Sequence, residues 1–451
     1  MSNTERLEES FRQDLLKSAE IPNAPFLYEP ARRFVINELV QMGFVDAKSE
    51  HRNQQLEYVH DDFALYAKIK RRESKHKLII TTHLDHPFVV LDGKGGGTPL
   101  GSIGNDRLKK QTETKGIPVK VYSKDGELVA SDTIVGVNIG SRRTRVITDF
   151  QEPYGTNSHA IWAMEPFVVE GGRIKMINSD NMANTAIMLS LIEEIVQDTS
   201  EKPIDVEFIF AYLEEIKQVS TTAIALRGST PFGGINSNSL IVVLESASVE
   251  TLEEYEATIN SLQMRKANYD DGIIVRINDR GLVYGQRYDT DNKAENLLLM
   301  SAQEAKANYQ QTLLSGTCDA TSYTLFSKTP HIASITIPTK YKHNTGKQGE
   351  MVREEILIRD VNATKNTLLK AIYACGGDLM PIYRPDAHSR ALKSTSMTAT
   401  PRAISELKRD RIATYFTSLQ RLKRARFYPE NISDRMYFSY NSAVGKVKKL
   451  I

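Results

Sequence analysis

The stretch VEFIFAYLEEI, residues 206–216, decides the architecture. Its first seven residues form a short run of apolar, aromatic and β-branched side chains, which reads as a buried strand. It ends on two adjacent carboxylates, Glu214 and Glu215. Working downstream, a helix is expected over 219–227, a strand over 240–244 (LIVVL), a helix over 294–308, a strand over 332–337 (IASITI) and a helix over 351–374. Upstream lie a helix over 182–197 and the strand KLIITT, 77–82. Strand alternating with helix implies an α/β layered unit with a largely buried, mixed sheet and helices on both faces.

Two amphipathic helices, 4–20 and 29–43, and extended pieces near 54–59 and 63–70 precede this unit. Residues 88–170 change character: Gly, Thr, Val and Ser dominate, with closely spaced strand-like pieces (VKVYS, TIVGVNI, RVITDF). They read as a small β-rich insert. After Gly376-Gly377 the chain carries a Ser/Thr/Ala-rich linker, 386–400, and an amphipathic helix over 402–426. The expected division is therefore a catalytic α/β unit from 1–87 and 171–375, an insert over 88–170, and a partly helical C-terminal extension over 376–451.

The chain has 451 residues, with 58 Lys+Arg against 56 Asp+Glu. That balance excludes a chain basic throughout that coats nucleic acid. The extension holds 15 basic and 6 acidic residues, net +9, so the rest carries 2 − 9 = −7. The basic helix reads first as packing on the acidic body or on a neighbouring subunit, second as a docking element for an acidic partner or nucleic acid. Two cysteines, Cys318 and Cys375, exclude a disulfide framework. The start, MSNTERLEES, has no apolar signal region, and the best apolar run, AIMLSLIEEIV, is interrupted by Glu193 and Glu194. A cytoplasmic protein without a membrane span is the expectation.

Chemistry is sought at strand ends, because ligands of open α/β sheets bind beyond the carboxyl edge. KLIITT is followed by His83-Leu84-Asp85, with His83 and Asp85 on one face. Asp180 opens a helix, where on its own it would be a cap. Glu214-Glu215, Glu245 and His343 follow the next three strands. Adjacent carboxylates at an apolar strand end require positive charge nearby. Two His plus carboxylates, one able to bridge, suffice for two divalent cations. His86 and His331 read as structural, Trp162 as core, and Gly95-Gly96-Gly97 as a turn without the ending of a phosphate loop. Cys318 as a nucleophile is the weaker reading beside such a carboxylate cluster.

The ordered set THLDH (82–86), SDNMANTAIML (179–189), FAYLEEI (210–216), VLES (243–246), SGTCDAT (315–321) and IPTKYKHN (337–344) resembles the co-catalytic di-metal aminopeptidases. It looks closest to the tetrahedral (glutamyl and deblocking) aminopeptidases, metallopeptidase family 42, over roughly residues 30–375. The resemblance implies that His83, Asp180 and Glu245 bind one metal, and that Asp180, Glu215 and His343 bind the other. It makes Glu214 the general base acting on a bridging hydroxide, gives Asp85 the task of holding His83, and places Asp319 in the substrate pocket. It further implies two divalent ions per subunit (zinc first, then cobalt or manganese), a peptide substrate, and a hollow homo-oligomer assembled through the insert.

Three departures stand out: EEIKQVSTTA has Lys217 and no glycine, Glu245 replaces a shorter Asp, and Cys318 interrupts GTCDA. The first of them, the altered segment after Glu215, motivates a second reading, an amidohydrolase acting on a small amide or N-acyl amino acid. A third, from another class, is a non-catalytic scaffold working through the basic extension.

Overall fold

The computed structural model describes residues 3–49, 55–74, 76–101, 105–140, 144–149, 155, 158–249, 267–276, 278–279, 282–284, 292–312, 314, 316–346, 350–376 and 401–424. The expected linker 386–400 lies outside them.

Four parallel strands form the centre of a nine-stranded mixed sheet: Ile204–Ala211, Lys77–His83, Ser239–Ala247 and Ile332–Pro338. Antiparallel strands flank them, Ala64–Arg71 beside Ile204–Ala211 and Ile273–Arg276 beside Ile332–Pro338. Side chains alternate between two apolar layers. Leu78, Ile80, Phe208, Phe210, Val242, Leu244 and Ile335 pack with helices Ser179–Gln197, Lys293–Glu304 and Ile358–Gly376. Ile79, Ile209, Ile241 and Val243 pack on the other face with helices Val219–Arg227 and Asp319–Phe326. Burial on both faces explains why these strands read as continuous apolar runs. The one acid inside VEFIFAY, Glu207, is buried. Lys77 Nζ at 2.5 Å and Thr230 Oγ1 at 2.7 Å satisfy it, as a buried charge requires.

Strands Val89–Leu91, Gly96–Pro99, Ile117–Tyr122, Leu128–Ile139, Thr144–Thr148 and His159–Trp162 close into a barrel with its own core, in which Phe88 meets Trp162 edge-on at 5.7 Å. A helix, Asn105–Thr114, not expected from the sequence, packs on this barrel. Strands Phe167–Glu170 and Arg173–Met176 form a hairpin through Gly171 (φ 55°) and Gly172 (φ 75°), the two positive φ values that a tight two-residue turn demands.

The helix expected over 351–374 divides. Glu354–Leu357 is a strand paired with Arg173–Met176, and the helix runs Ile358–Gly376. The pairing partner, distant in sequence, overrides local periodicity. The helix Pro401–Arg424 packs against Val219–Arg227 and Asp319–Phe326. Tyr415 lies 5.9 Å from Phe63, Asp410 pairs with Lys217 at 2.7 Å, and Arg411, almost fully buried, donates to Thr317 Oγ1 at 3.1 Å. The basic extension is thus seated on the body at this helix. Among the described residues no helix is long and apolar enough to cross a membrane.

On helix Asn3–Glu20, burial, with Glu38 adding, pushes the Asp14 carboxyl up to about 7 from its ordinary 3.8. The folded chain then keeps a proton that the unfolded chain has released, so this group's contribution to stability falls as pH rises from about 4 to 7. Asp14→Asn is expected to raise stability at pH 8 by on the order of 2 kcal/mol and to change little at pH 4. Melting curves at the two pH values check this.

Candidate metal centre

The strand ends deliver their side chains to one point. His83 is the last residue of Lys77–His83, and Glu245 lies in the C-terminal half of Ser239–Ala247. Glu214 and Glu215 follow Ile204–Ala211, and His343 follows Ile332–Pro338. Asp180 enters from the first turn of helix Ser179–Gln197, whose Asp180–Asn181 peptide is cis.

His83 Nε2 lies 3.3 Å from Asp180 Oδ1, 3.5 Å from Glu245 Oε1 and 4.0 Å from Glu214 Oε2. His343 Nε2 lies 3.4 Å from Asp180 Oδ2 and 3.2 Å from Glu215 Oε1. His83, Asp180, Glu215 and Glu245 are buried. Two donors on one tetrahedral ion at 2.0–2.1 Å are separated by about 3.3–3.4 Å, so these spacings suit a shared ion. His83 Nε2, Asp180 Oδ1, Glu215 Oε1 and Glu245 Oε2 have no hydrogen-bond partner within the protein. Orphaned buried acceptors facing one another are costly unless a cation joins them. Among the described residues, His83, Asp180 and Glu215 each offer a ligand atom, mutually within 4.8 Å. The residues therefore fit divalent metal.

Electrostatics follow from the crowding. Burial works against the charged form of His83, but Glu245, Asp180 and Asp85 outweigh it and hold its pKa well above the usual range. Burial likewise opposes charge on His343, and Glu215 with Asp180 overrides it. The Asp180 carboxyl is held well below its ordinary value because Lys342 and the two imidazoles outweigh its burial. Glu214 is pushed well above the usual range, chiefly by burial, with Glu245, Glu215 and Asp319 adding against His83. Burial also raises Asp319, to about 7.

Supporting residues fix these groups. Asp85 accepts the backbone N–H of Glu214 at 2.9 Å and of Glu215 at 3.2 Å. Its Oδ1 is 3.4 Å from His83 Nδ1, which sits 3.0 Å from the Asp85 carbonyl. Asp319 accepts from Thr221 Oγ1 at 2.5 Å, beside the Glu214 turn. Gln218 Nε2 donates to Glu214 Oε1. Lys217 (φ 57°) and Gln218 (φ 53°) both occupy the left-handed region that side chains avoid, in the turn where the sequence lacks glycine. His86, fully buried, bridges the Asp180 carbonyl and Asn344 Oδ1, consistent with a structural part. Cys318 is a buried thiol pushed well above its ordinary pKa by burial and Asp279, which fits an inert side chain better than a nucleophile.

Two residues were missed by sequence reasoning. Glu354 is fully buried, and its carboxylate accepts the backbone N–H of Asp180 at 2.7 Å and of His343 at 2.6 Å, joining two donor-bearing segments. Lys342 places its ammonium 2.8 Å from Asp180 Oδ2. The strand carrying Glu354 falls within the helix expected over 351–374, and Lys342 is one of two lysines in TKYKHN with nothing in the sequence to set it apart.

Residues 155–357 match the profile of the M42 glutamyl aminopeptidase family. No curated protein matches the sequence. Among solved structures, the TET1 peptidase of Pyrococcus horikoshii superposes with a TM-score of 0.57 at 17% identity, over 82% of this chain and 100% of that one. The P. horikoshii peptidase can assemble into a tetrahedron or a large octahedral shell. An aminopeptidase from the archaeon Desulfurococcus kamchatkensis gives 0.59 at 16% identity, covering 80% and 94%. A TET aminopeptidase from a marine-sediment thaumarchaeon gives 0.60 at 12%, covering 85% and 99%.

The family match over residues 155–357, together with the shared fold, supports a peptide hydrolase of the metallo-aminopeptidase class. The resemblance drawn from the sequence motifs is borne out: the chain is related to the M42 glutamyl aminopeptidases.

Proposed function

We propose that the chain removes N-terminal residues from peptides in the cytoplasm, using two divalent ions held on either side of Asp180. One observation carries this reading. Asp180 turns Oδ1 toward His83 and Oδ2 toward His343, with Glu245 beside the first imidazole and Glu215 beside the second. His83, Asp180 and Glu245 would hold one ion, and Asp180, Glu215 and His343 the other, with zinc the first expectation and cobalt or manganese the alternatives. Bound there, the ions would lower the pKa of water and polarise the scissile carbonyl.

The chain's own residues supply the rest. Glu214 lies beside the donors rather than among them, and accepts the proton of the attacking water before passing it to the leaving amine. Asp85 fixes the backbone of both glutamates and orients His83. Asp319 lines the substrate side. The division into a catalytic unit from 1–87 and 171–375, an insert over 88–170 and an extension from 376 belongs to this reading.

Hydrolysis of a panel of aminoacyl and N-acyl amides, with Zn, Co and Mn each added back, tests it. Turnover of free α-amino substrates alone supports the aminopeptidase. Turnover confined to N-acyl amides replaces it with the amidohydrolase, which the glycine-free turn at Lys217 and Gln218 favours. A metal-free, inactive chain leaves the scaffold.

Self-assembly is part of the proposal, as in the relatives. The barrel strand Leu128–Ile139 exposes Leu128, Val129, Val135 and Ile139, each 44% or more accessible, in a form suited to a second copy. Val135→Asp with Ile139→Asp is expected to reduce the particle to a smaller species in light scattering; an unchanged mass would refute this surface.

A further inference from the structure

Two features set this chain apart from the pattern it resembles, and they meet beside Glu214. One is the turn at Lys217 (φ 57°) and Gln218 (φ 53°), left-handed without glycine. The other is the helix Pro401–Arg424, which lies beyond the residues 155–357 that match the family profile. Two consecutive residues of that helix reach toward the two residues of the turn. Asp410 Oδ1 pairs with Lys217 Nζ at 2.7 Å. Arg411 donates to Thr317 Oγ1 at 3.1 Å, and the same oxygen accepts from Gln218 Nε2 at 3.5 Å. Gln218 Nε2 also donates to Glu214 Oε1 at 2.5 Å. A path of hydrogen bonds thus runs from the C-terminal helix to the Glu214 carboxylate.

Donors and acceptors balance along this path. The Gln218 amide has two N–H groups, one for the carboxylate and one for the hydroxyl oxygen, and that oxygen has two lone pairs, one for the amide and one for the guanidinium. Arg411 and Gln218 are each 4% exposed, so these bonds lie where neighbouring dipoles reinforce one another. The Lys217–Asp410 pair is half-exposed and adds little energy, but it sets the helix in register over the turn. Left-handed residues other than glycine persist where the surroundings over-determine them, and this helix is part of those surroundings. We infer that Arg411 is a positioning residue of the active site, acting through Thr317 and Gln218 to hold the Glu214 carboxylate toward the water it deprotonates. The inference rests on Glu214 as the general base and deepens that reading: the C-terminal helix belongs to the machinery of turnover.

The test assays the metal-loaded full-length protein on a fluorogenic aminoacyl amide, as wild type, Arg411→Met, Glu214→Gln and the double variant. Arg411→Met is expected to lower kcat about tenfold, with KM and metal content within twofold of wild type. In the Glu214→Gln background the same substitution is expected to change kcat less than twofold, because residues that act as a unit are not additive. Arg411→Lys, which can still donate to Thr317, is expected to recover kcat to within threefold of wild type. Thr317→Val removes the acceptor, leaves the guanidinium in place, and gives the same loss should Arg411→Met fail to fold. A kcat within twofold of wild type in Arg411→Met and Thr317→Val, an equal loss in both Glu214 backgrounds, or a loss that tracks departed metal overturns the inference. Wild-type turnover in Glu214→Gln, or none in the wild type itself, overturns the reading beneath it and the inference with it.

Discussion

Glu214→Gln is expected to leave the bound metal content unchanged and to lower kcat by about a thousandfold, the middle of the range for loss of a positioned general base. Three features make this substitution diagnostic. The side chain sits 4.0 Å from His83 Nε2, further than any donor assigned to an ion, so its removal leaves the donors in place. Its backbone is fixed independently by Asp85, and Gln matches its volume, so the strand end keeps its shape. Only the ability to take a proton is lost. Gln218, which now donates to Glu214 Oε1, can still meet the amide oxygen. Metal analysis and steady-state kinetics on the same preparation decide it. Retained turnover removes Glu214 from the mechanism, and lost metal makes it a ligand.

Asp180→Ala is expected to abolish divalent metal binding and to reduce turnover to background. Asp180 turns its two oxygens toward different imidazoles, and it is fully buried. Without it, His83 retains Glu245 and His343 retains Glu215, two donors each, fewer than the three protein ligands usual for a catalytic zinc. The vacated space also leaves Lys342 without its closest carboxylate. Two retained ions in this variant would contradict the bridging role.

What could be read from the sequence has a physical boundary. The strands KLIITT, VEFIFAY, LIVVL and IASITI announce themselves because both sheet faces are covered, so apolar and β-branched residues dominate both sets of alternating positions. Donors immediately after such strands were visible for the same reason: a charged residue ending an apolar run needs an explanation. That Asp180 divides its oxygens between two imidazoles was not visible, since it depends on how the first turn of a helix enters between strand ends. Glu354 was hidden because its strand exists only through pairing with Arg173–Met176. Local periodicity continued instead into the helix Ile358–Gly376. Lys342 was hidden because its direction is set by three left-handed residues, none of them glycine, so no sequence signal marks the turn. The seat of the basic extension was equally illegible. Tyr415 against Phe63 and Arg411 against Thr317 join positions 352 and 94 residues apart.

The central claim is that one carboxylate divides two ions between His83 and His343. Anomalous diffraction from crystals soaked in excess Zn²⁺ tests it most directly, because it locates metal without reference to activity. The account predicts two peaks, one on each oxygen of Asp180, the first within bonding distance of His83 and Glu245 and the second of His343 and Glu215. Peaks elsewhere, or none between the two imidazoles, would contradict it.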